Sequence, residues 1–556
     1  RNADQATDGC LQLGCIAMNM KHQPHGDAGD LLKQFLLDAP TGALRGCEGY
    51  LVDVAMEAVD EYDGSGCAVV HTLFALQQLE ERCSDFSPAF NSELPQLGLL
   101  VAGQGSRLWG ISASTGFVKA LVCLFRTTLF ELTVAEARML AAQAPNGGRD
   151  IVFLAGTDNI VVPEVYPLRT VDGQLYSSLP TAPSLTLFSK AVAVLDDDYE
   201  VLPDAPLKML EQLGILVVGD DGVPIVFLEK VPRATIVAVA KKHRCRSVFF
   251  NAFHFAFSKA AARLVVEMYS RPTIADPEVA YFQTKGFDFS GHVLEAFVCS
   301  DHESWVARHD AGGPFPAQED WEQLYKFGAD LKKTQGPICV VNLGHDTVWY
   351  DAGMTKDLLE LYRQTACGAD DALRETLRTI LGVSEQDSYG GGLVINSTLP
   401  AGSTVGKGAV VVNSTFSEPT TVPDGCIVIN STARSLDSSQ LPDSKEMHNC
   451  IIYSYHDSTG TPVLQEDLVH FSTELAKECG EHHNATGSFP AHVNAKSTSH
   501  HPMFNHYNVG DNAGKCYLNQ AIKGFPAPLS FKELFSSQSV SFPATLARLQ
   551  GARRAK

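Results

Sequence analysis

The sequence has no long apolar run. Nowhere in its 556 residues does a hydrophobic stretch approach the ~18 residues that a membrane-spanning helix needs, so no membrane span is expected. Positive charge is also scarce, because 43 Lys and Arg stand against 64 Asp and Glu and the net charge is −21. A surface of that sign repels nucleic acids and anionic membranes, and neither is expected as a general partner.

Paired cysteines are missing as well. The 14 cysteines are scattered without a Cys-x-x-Cys motif, which indicates reduced, mostly buried thiols and an intracellular, reducing compartment. That compartment is expected to be the cytoplasm or, because residue 1 is Arg rather than Met, an organelle interior. Regular metal-ligand spacing is absent from the His-rich tail, which contains His482, His483, His492, His500, His501 and His506.

A short repeat is the clearest positive feature of the sequence. Asn-Ser-Thr begins at Asn396, Asn413 and Asn430, always 17 residues apart. Apolar residues recur between these triplets at steps of five or six, at Leu393, Leu399, Val405, Val411, Phe416, Val422 and Val428. This period predicts stacked parallel coils with one inward side chain on each of three flat faces, whereas an ordinary β-meander is the alternative. The Asn-Ser-Thr triplets are expected at corners or in stacked hydrogen bonds.

Strands and helices alternate ahead of the repeat. The apolar runs 97–102 and 151–155 have the pattern of buried parallel strands. Thr133 and Glu136 form a capping-box pattern, which predicts a helix over 134–143. Such alternation is typical of a doubly wound α/β sheet, whose ligands bind beyond the carboxyl ends of the strands. The predicted domains are an N-terminal extension (1–45), an α/β domain (46–385), the repeat (386–445) and a C-terminal continuation (446–556).

A candidate phosphate loop follows the first apolar run. Residues 101–119 read VAGQGSRLWGISASTGFVK, in which Gly103 and Gly105 let the backbone approach phosphates and Ser106 follows them. Arg107 is positioned to neutralise charge on departing pyrophosphate, and Lys119 to hold a sugar phosphate. A plain strand-to-helix turn is the alternative interpretation.

Two further polar residues follow apolar strands. Asp158 comes just after the run 151–155, where a carboxylate is well placed to hold Mg²⁺, although it could equally cap the next turn. Asn251, in VFFNAFHF, is either a second metal ligand or sugar contact, or a residue that satisfies local backbone groups. The acidic run Asp196, Asp197 and Asp198 is expected to form a solvated turn.

With these motifs in place, the chain resembles the GDP-L-fucose pyrophosphorylase family (fucose-1-phosphate guanylyltransferases), including that part of the bifunctional fucokinases. Gly64 and Gly66, followed by HTLFALQQL at 71–79, are similar to the family's glycine-rich segment and helix. The loop 101–119 resembles its Gly-Gly-x-Ser-x-Arg-Leu signature, and WYDAGMTKDLL at 349–359 its segment before the repeat domain. YSYHD at 453–457 and Phe525-Pro526 resemble its tail motifs.

The resemblance implies a nucleotidyltransferase (GT-A-like) α/β domain followed by a left-handed parallel β-helix. It also implies that GTP and L-fucose 1-phosphate give GDP-L-fucose and pyrophosphate by in-line attack, with Mg²⁺ as cofactor. Gly64, Gly66, Gly103, Gly105 and Ser106 would bind the nucleotide. Arg107 and Lys119 would be catalytic, and Asp158 and Asn251 would hold the metal.

Several positions depart from the family pattern. The phosphate loop is one glycine short, Phe117 stands where a Lys is expected, Lys119 comes two residues later, and Asp351 replaces a His. Losses of this kind typically cost on the order of a thousandfold in rate each. The sequence therefore predicts either an active nucleotidyltransferase with a shifted Lys, for this or another sugar phosphate or nucleotide, or a degenerate homologue. A degenerate homologue would serve as a structural or regulatory subunit among other polypeptides.

Overall fold

A computed structural model describes much of the chain. The described residues are 15–21, 52–57, 65–86, 93–100, 122–196, 198–199, 211, 213–284, 287–300, 302–303, 305, 315, 317–353, 355–436, 451–453, 468–474, 484–490 and 517–518. They form two compact units. The first contains 133–349 and the described parts of 1–24 and 42–102, and the second contains the described parts of 103–132 and of the chain from 350 onward.

The first unit is built on a ten-stranded sheet. Its strands are β1 (Cys15–Lys21), β2 (Val52–Glu57), β3 (Gln96–Leu100), β6 (Ile151–Gly156), β8 (Arg169–Thr170), β9 (Leu185–Val194), β10 (Gly214–Val218), β11 (Pro224–Glu229), β12 (Ser247–Ser258) and β13 (Ile338–Asn342). Between these, β4 (Cys123–Leu124) and β5 (Thr127–Thr128) form a hairpin of the second unit, and β7 (Asn159–Val162) follows β6.

The sheet is mixed, and the fold of the first unit is α/β. Its strand order is β2-β1-β3-β6-β12-β9-β13-β8, with the β10–β11 hairpin attached through β10 to β12. Strands β2, β1, β3 and β6 are parallel, and β9 is parallel to β13. Strand β12 runs antiparallel to β6, β9 and β10. Consequently β3, β6, β9 and β13 all end at one edge of the sheet, as ligand-binding α/β sheets require.

Helices cover the sheet. They are α1 (Ser65–Phe86), α2 (Leu129–Ala141), α3 (Arg233–His243), α4 (Lys259–Tyr269), α5 (Glu295–Val298) and α6 (Gln318–Gln335). Helix α4 begins at a serine cap, because the Ser258 hydroxyl accepts from the Ala261 N–H, and its apolar face is buried at Ala261, Ala262, Val265, Val266, Met268 and Tyr269. Helix α1 approaches β3 closely at Gly98, where a Cβ would lie 2.6 Å from Thr72 and 2.4 Å from Leu154.

Helix α2 begins earlier than the sequence prediction. The predicted capping box at Thr133 and Glu136 is wrong: the reciprocal cap is formed five residues upstream, where Thr128 N donates to the Glu131 carboxylate at 2.8 Å and Glu131 N donates to the Thr128 hydroxyl at 3.2 Å. Both pairs have the pattern Thr-x-x-Glu. The pair Thr128 and Glu131 forms the cap because the chain leaves the β4–β5 hairpin at Thr128. Glu136 is therefore an interior helix residue, and its carboxylate is available for another contact.

The second unit holds the repeat. Its helices are α7 (Thr355–Cys367) and α8 (Asp371–Ile380), and β14 (Val348–Asp351) precedes them. Its later strands are β15 (Ser388–Tyr389), β16 (Gly392–Ile395), β17 (Thr404–Val405), β18 (Val410–Val412), β19 (Thr415–Phe416), β20 (Thr421–Val422), β21 (Ile427–Ile429), β22 (Thr432–Ala433), β23 (Ile451–Tyr453), β24 (Leu468–Glu474), β25 (Asn484–Pro490) and β26 (Tyr517–Leu518). The predicted boundaries at 45, 385 and 445 stay predictions.

The repeat region consists of short strands stacked in parallel at an offset of 17 residues. Strand β16 pairs with β18 and β18 with β21, while β17 pairs with β20 and β19 with β22. The predicted inward residues contact one apolar cluster, in which Val405, Val411, Phe416, Val422 and Val428 are buried and Leu399 is partly buried. The register aligns Val411 with Val394 rather than with Leu393. The left-handed β-helix itself stays a prediction.

The Asn-Ser-Thr triplets lie at one corner of these coils. Asn396, Asn413 and Asn430 all have a left-handed backbone, with φ near +50°, a conformation that Asn tolerates better than most residues. The Asn413 amide donates to the Asn430 side-chain oxygen at 3.3 Å, and Ser431 N donates to the Ser414 hydroxyl at 3.1 Å. The triplets thus form a stacked hydrogen-bond ladder along the corner, one of the roles expected from the sequence.

Candidate functional site

Asp158 lies at the edge where the parallel strands end. Leu100, the last residue of β3, pairs with Gly156, the last residue of β6, and Asp158 follows in the turn to β7. Its carboxylate is half-buried and accepts from the Asn159 side-chain amide at 3.3 Å. A Cβ on Gly156 would lie 3.1 Å from Asp158 Oδ1 and 3.1 Å from Phe253 Cδ1, so the glycine gives both side chains room at this edge.

Asn251 lies at a β-bulge of β12 beside this turn. The register shifts between Asn251 and His254, and Phe253 takes a left-handed backbone with φ of +58°. The Asn251 side-chain oxygen accepts from Phe253 N at 3.2 Å, which is the local backbone role that the sequence left open. The metal role of Asn251 stays a prediction, since an amide oxygen that accepts one N–H retains a second lone pair.

Polar residues form a row across the sheet at the level of Asn251. Ser189 of β9 pairs with Asn251 on one side and with Asn342 of β13 on the other. Ile215 pairs with Phe250, so Gly214 comes next to Asn251, and Gly214 in turn pairs with Glu229. Because paired residues point to the same face of a sheet, the four side chains and the gap at Gly214 line one face at the carboxyl edge. We call Asn342, Ser189, Asn251 and Glu229 the polar row.

Gly214 leaves space in the middle of the polar row. A Cβ there would lie 2.8 Å from Glu229 Oε2 and 2.5 Å from Phe227 Cζ. The Glu229 carboxylate therefore reaches over Gly214, toward Asn251 on the neighbouring strand. A side chain at position 214 would displace it.

Ser189 is the unusual member of the row. It is fully buried, and its hydroxyl has no hydrogen-bond partner among the described residues. A buried hydroxyl without a partner costs about 1–3 kcal/mol, a cost that a ligand hydroxyl at this position would offset. In contrast, Asn342 and Asn251 each accept a backbone N–H two residues ahead, from Gly344 and Phe253.

The described lysines near this edge have protein partners. Lys190, next to Ser189, donates to the Thr347 carbonyl at 2.8 Å. Burial lowers the Lys190 pKa, and the nearby Asp346 and Glu164 carboxylates raise it in part. Lys230, next to Glu229, lies 2.5 Å from the Glu229 carboxylate. Neither ammonium is a free phosphate ligand, so any phosphate at this edge must draw on other cations.

Most of the predicted nucleotide site lies outside the described residues. This applies to Gly64, Gly103, Gly105, Ser106, Arg107 and Lys119, as well as to Phe117 and the His-rich tail. Gly66 lies in the first turn of α1. Leu100, beside Gly156, is the last described residue before the candidate phosphate loop, so the chain reaches that loop from the edge that carries Asp158. Of the acidic run, Asp196 and Asp198 are described, and Asp198 N donates to Asp196 Oδ1 at 3.0 Å.

Asp158 suits a hard divalent cation, because a carboxylate oxygen is the ligand type that Mg²⁺ prefers. Throughout the described ranges, no group of three or more His, Cys, Asp and Glu residues is arranged to hold a metal ion. Among the described residues, Asp158 would thus be the carboxylate ligand of a Mg²⁺, an ion that usually also binds substrate phosphates and water.

No helix among the described residues is long and apolar enough to cross a membrane.

Apart from Asn251, sequence reasoning missed the members of the polar row. Ser189 and Lys190 interrupt the apolar strand Leu185–Val194, and Glu229 and Lys230 end the strand Pro224–Glu229. A polar residue inside an apolar strand is the signal that marks such positions. The sequence does not show that the members of the polar row align, because their alignment depends on the antiparallel insertion of β12 into the sheet and on the bulge in β12.

Comparison with known proteins found distant structural similarity only. No protein-family model matches the chain, and no curated protein matches it. Among solved structures, a protein assigned as a glucose-1-phosphate thymidylyltransferase from Bacillus anthracis is 11% identical, covers 51% of this chain and 95% of its own, and has a TM-score of 0.25. Mannose-1-phosphate geranyltransferase from Thermus thermophilus is 12% identical, with 75% and 92% covered and a TM-score of 0.22.

A third similar structure is HddC from Yersinia pseudotuberculosis, which is 9% identical, with 62% and 76% covered and a TM-score of 0.23. Two of the three names belong to transferases of sugar 1-phosphates. At these TM-scores the likeness carries no argument about this chain.

Proposed function

We propose that this protein binds a nucleoside triphosphate and a sugar 1-phosphate at the carboxyl edge of its ten-stranded sheet and joins them by nucleotidyl transfer. The sequence resemblance suggests GTP and L-fucose 1-phosphate as the pair. The observation that carries the proposal is the polar row beside Asp158, with the buried, unpartnered Ser189 hydroxyl at its centre. A row of hydroxyl, amide and carboxylate groups is the chemistry that recognises sugar hydroxyls.

Asp158 supplies the other half of the proposed site. Gly156 separates the Asp158 carboxylate from Phe253, which follows Asn251, so the carboxylate and the row lie at the same edge. A Mg²⁺ held there would neutralise nucleotide phosphates. The sugar phosphate oxygen would attack the α-phosphorus, the bond to the bridging oxygen would break, and pyrophosphate would leave. The protein's part is to orient two anions, with Arg107 and Lys119 as the proposed cations.

The second candidate function is a degenerate homologue that serves as a subunit of a larger assembly. It is favoured by Phe117 at the expected Lys position and by the engagement of Lys190 and Lys230 with protein acceptors. If Lys119 does not reach the phosphates, no described lysine replaces it. In that case the polar row would be a remnant without a ligand.

A turnover panel decides between the two functions. Purified protein is incubated with Mg²⁺, each common nucleoside triphosphate and fucose, glucose or mannose 1-phosphate, and pyrophosphate release is measured. We expect turnover with one pair, and in Ser189→Ala a KM for the sugar phosphate raised by about tenfold, because a buried contact to a ligand hydroxyl is lost. The exposed Ser178→Ala is the matched control and should leave KM unchanged. No turnover with any pair would favour the subunit.

A further inference from the structure

A buried acid–imidazole pair lies beneath the candidate site. Glu136 of α2 and His254 of β12 have side chains that are 5% and 0% exposed, and Glu136 Oε2 lies 3.7 Å from His254 Nε2. Neither of these two atoms has a hydrogen-bond partner among the described residues. Two polar groups enclosed in this way stabilise each other or remain a large cost to the fold.

Each member of the pair holds one of the two segments that form the candidate site. Glu136 Oε1 accepts from Val161 N at 3.0 Å, which fixes β7 directly after the Asp158 turn. His254 Nδ1 lies 2.9 Å from the Ala252 carbonyl, inside the bulge that follows Asn251. His254 also pairs with Ala155, next to Gly156. The pair therefore connects the Asp158 turn to the Asn251 bulge.

One contact fixes the tautomer of His254. A carbonyl oxygen can only accept, so His254 Nδ1 carries a proton and donates a hydrogen bond to the Ala252 carbonyl. The 3.7 Å between Glu136 Oε2 and His254 Nε2 is a close polar contact, longer than a hydrogen bond. Burial raises the Glu136 pKa, although His254 and the Val161 N–H lower it in part.

We propose that Glu136 and His254 are positioning residues whose buried side chains contact each other and clasp the Asp158 turn to the Asn251 bulge. Neither residue touches substrate. Their effect on a bound cation passes through Asp158, and that last step rests on the proposed function. The clasp itself concerns only residues of this chain and can be tested without any ligand.

Hydrogen exchange tests the clasp. We expect Glu136→Leu to raise amide exchange at least tenfold in both 157–162 and 251–255, because both segments lose their common anchor. Glu136→Gln, which keeps the size of the side chain and an oxygen that accepts from Val161 N, should stay within twofold of wild type. Tyr176→Phe, which removes a buried 2.8 Å hydrogen bond to Thr186, is the control and should change neither segment.

Some outcomes would overturn the clasp. These are faster exchange in 157–162 alone, no change in either segment, or Glu136→Gln behaving like Glu136→Leu. If Glu136→Leu does not fold, ¹⁵N NMR of the histidine side chains decides instead. The resonance that shifts in Glu136→Gln should belong to a ring with a proton on Nδ1, and a ring protonated on Nε2 alone would contradict the proposal.

A cation-binding experiment distinguishes failure of the clasp from failure of the proposed function. With GTP present, Mn²⁺ binding followed by electron paramagnetic resonance should weaken at least tenfold in Glu136→Leu and stay within threefold of wild type in Glu136→Gln. Asp158→Asn should abolish it. If wild type and Asp158→Asn bind Mn²⁺ equally, the proposed function fails, while the exchange result still decides the clasp. If Asp158→Asn abolishes binding and Glu136→Leu leaves it unchanged, the positioning role fails.

Discussion

The stacked coils of the second unit and the sheet edge of the first unit are stabilised in different ways. Each coil repeats the one before it at 17 residues, so that Val411 lies between Val394 and Val428. The sheet edge has no repeat and brings together residues as distant in sequence as Asp158, Ser189 and Asn251. A repetitive region is stabilised by many equivalent contacts, whereas the edge depends on a few polar contacts, each made once.

The largest expected effect lies in the coil interior. Val411→Asp places an unpaired carboxylate among Val405, Phe416 and Val428, and we expect it to lower the free energy of unfolding of the second unit by at least about 4 kcal/mol. Calorimetry measures the loss, and Thr415→Asp, at an exposed position of the same coil, should cost less than half as much. Equal costs at the two positions would mean that the coil interior is not closely packed.

A pair of glycines sharpens the comparison. Gly98→Ala puts a Cβ against Leu154 and Thr72, and we expect overpacking between α1 and β3 to cost about 1–3 kcal/mol. Gly425→Ala meets nothing within 4 Å but has a φ of +66°, so only backbone strain of about 1 kcal/mol is expected. Chemical denaturation of both variants measures which of the two losses in the free energy of unfolding is larger. A larger cost at Gly425 would show that conformation outweighs packing in this protein.

The smallest expected effect concerns the corner ladder. Asn413→Ala removes the hydrogen bond to Asn430 and leaves an alanine at φ of +49°, which should cost about 1 kcal/mol. Asn413→Gly removes the same hydrogen bond without the backbone strain and should cost less. If both variants match wild type in thermal unfolding, the ladder follows from the coils and does not stabilise them.

The two regions also differ in how much of them can be predicted from the sequence. The 17-residue offset of the coils appears directly in the spacing of Asn396, Asn413 and Asn430, because each residue contacts its own equivalent. Strand β6 was predicted over 151–155 and spans Ile151–Gly156, because a wholly buried parallel strand is apolar at every position. Local pattern is sufficient for both.

Sequence pattern was not sufficient where two capping boxes were possible, or where contacts between residues distant in sequence determine the structure. Thr128–Glu131 and Thr133–Glu136 match the capping-box pattern equally well, and the hairpin that ends at Thr128 selects the first. That choice left Glu136 free to contact Val161 and His254, a role that no periodicity indicates. Asp158 and Asn251 are predicted as site residues because each follows an apolar run, but Asn251 lies inside β12, and the bulge that brings Phe253 beside Asp158 depends on the folded sheet.

The central claim, that the carboxyl edge of the sheet is a nucleotide site built on Asp158, is tested most directly by calorimetric titration with GTP and Mg²⁺. Wild type should bind, Asp158→Asn should weaken binding by at least tenfold because the metal's carboxylate ligand is lost, and Asp198→Asn on an exposed turn should bind as wild type does. Equal affinity in wild type and Asp158→Asn, or no heat from wild type at millimolar GTP, would contradict the claim.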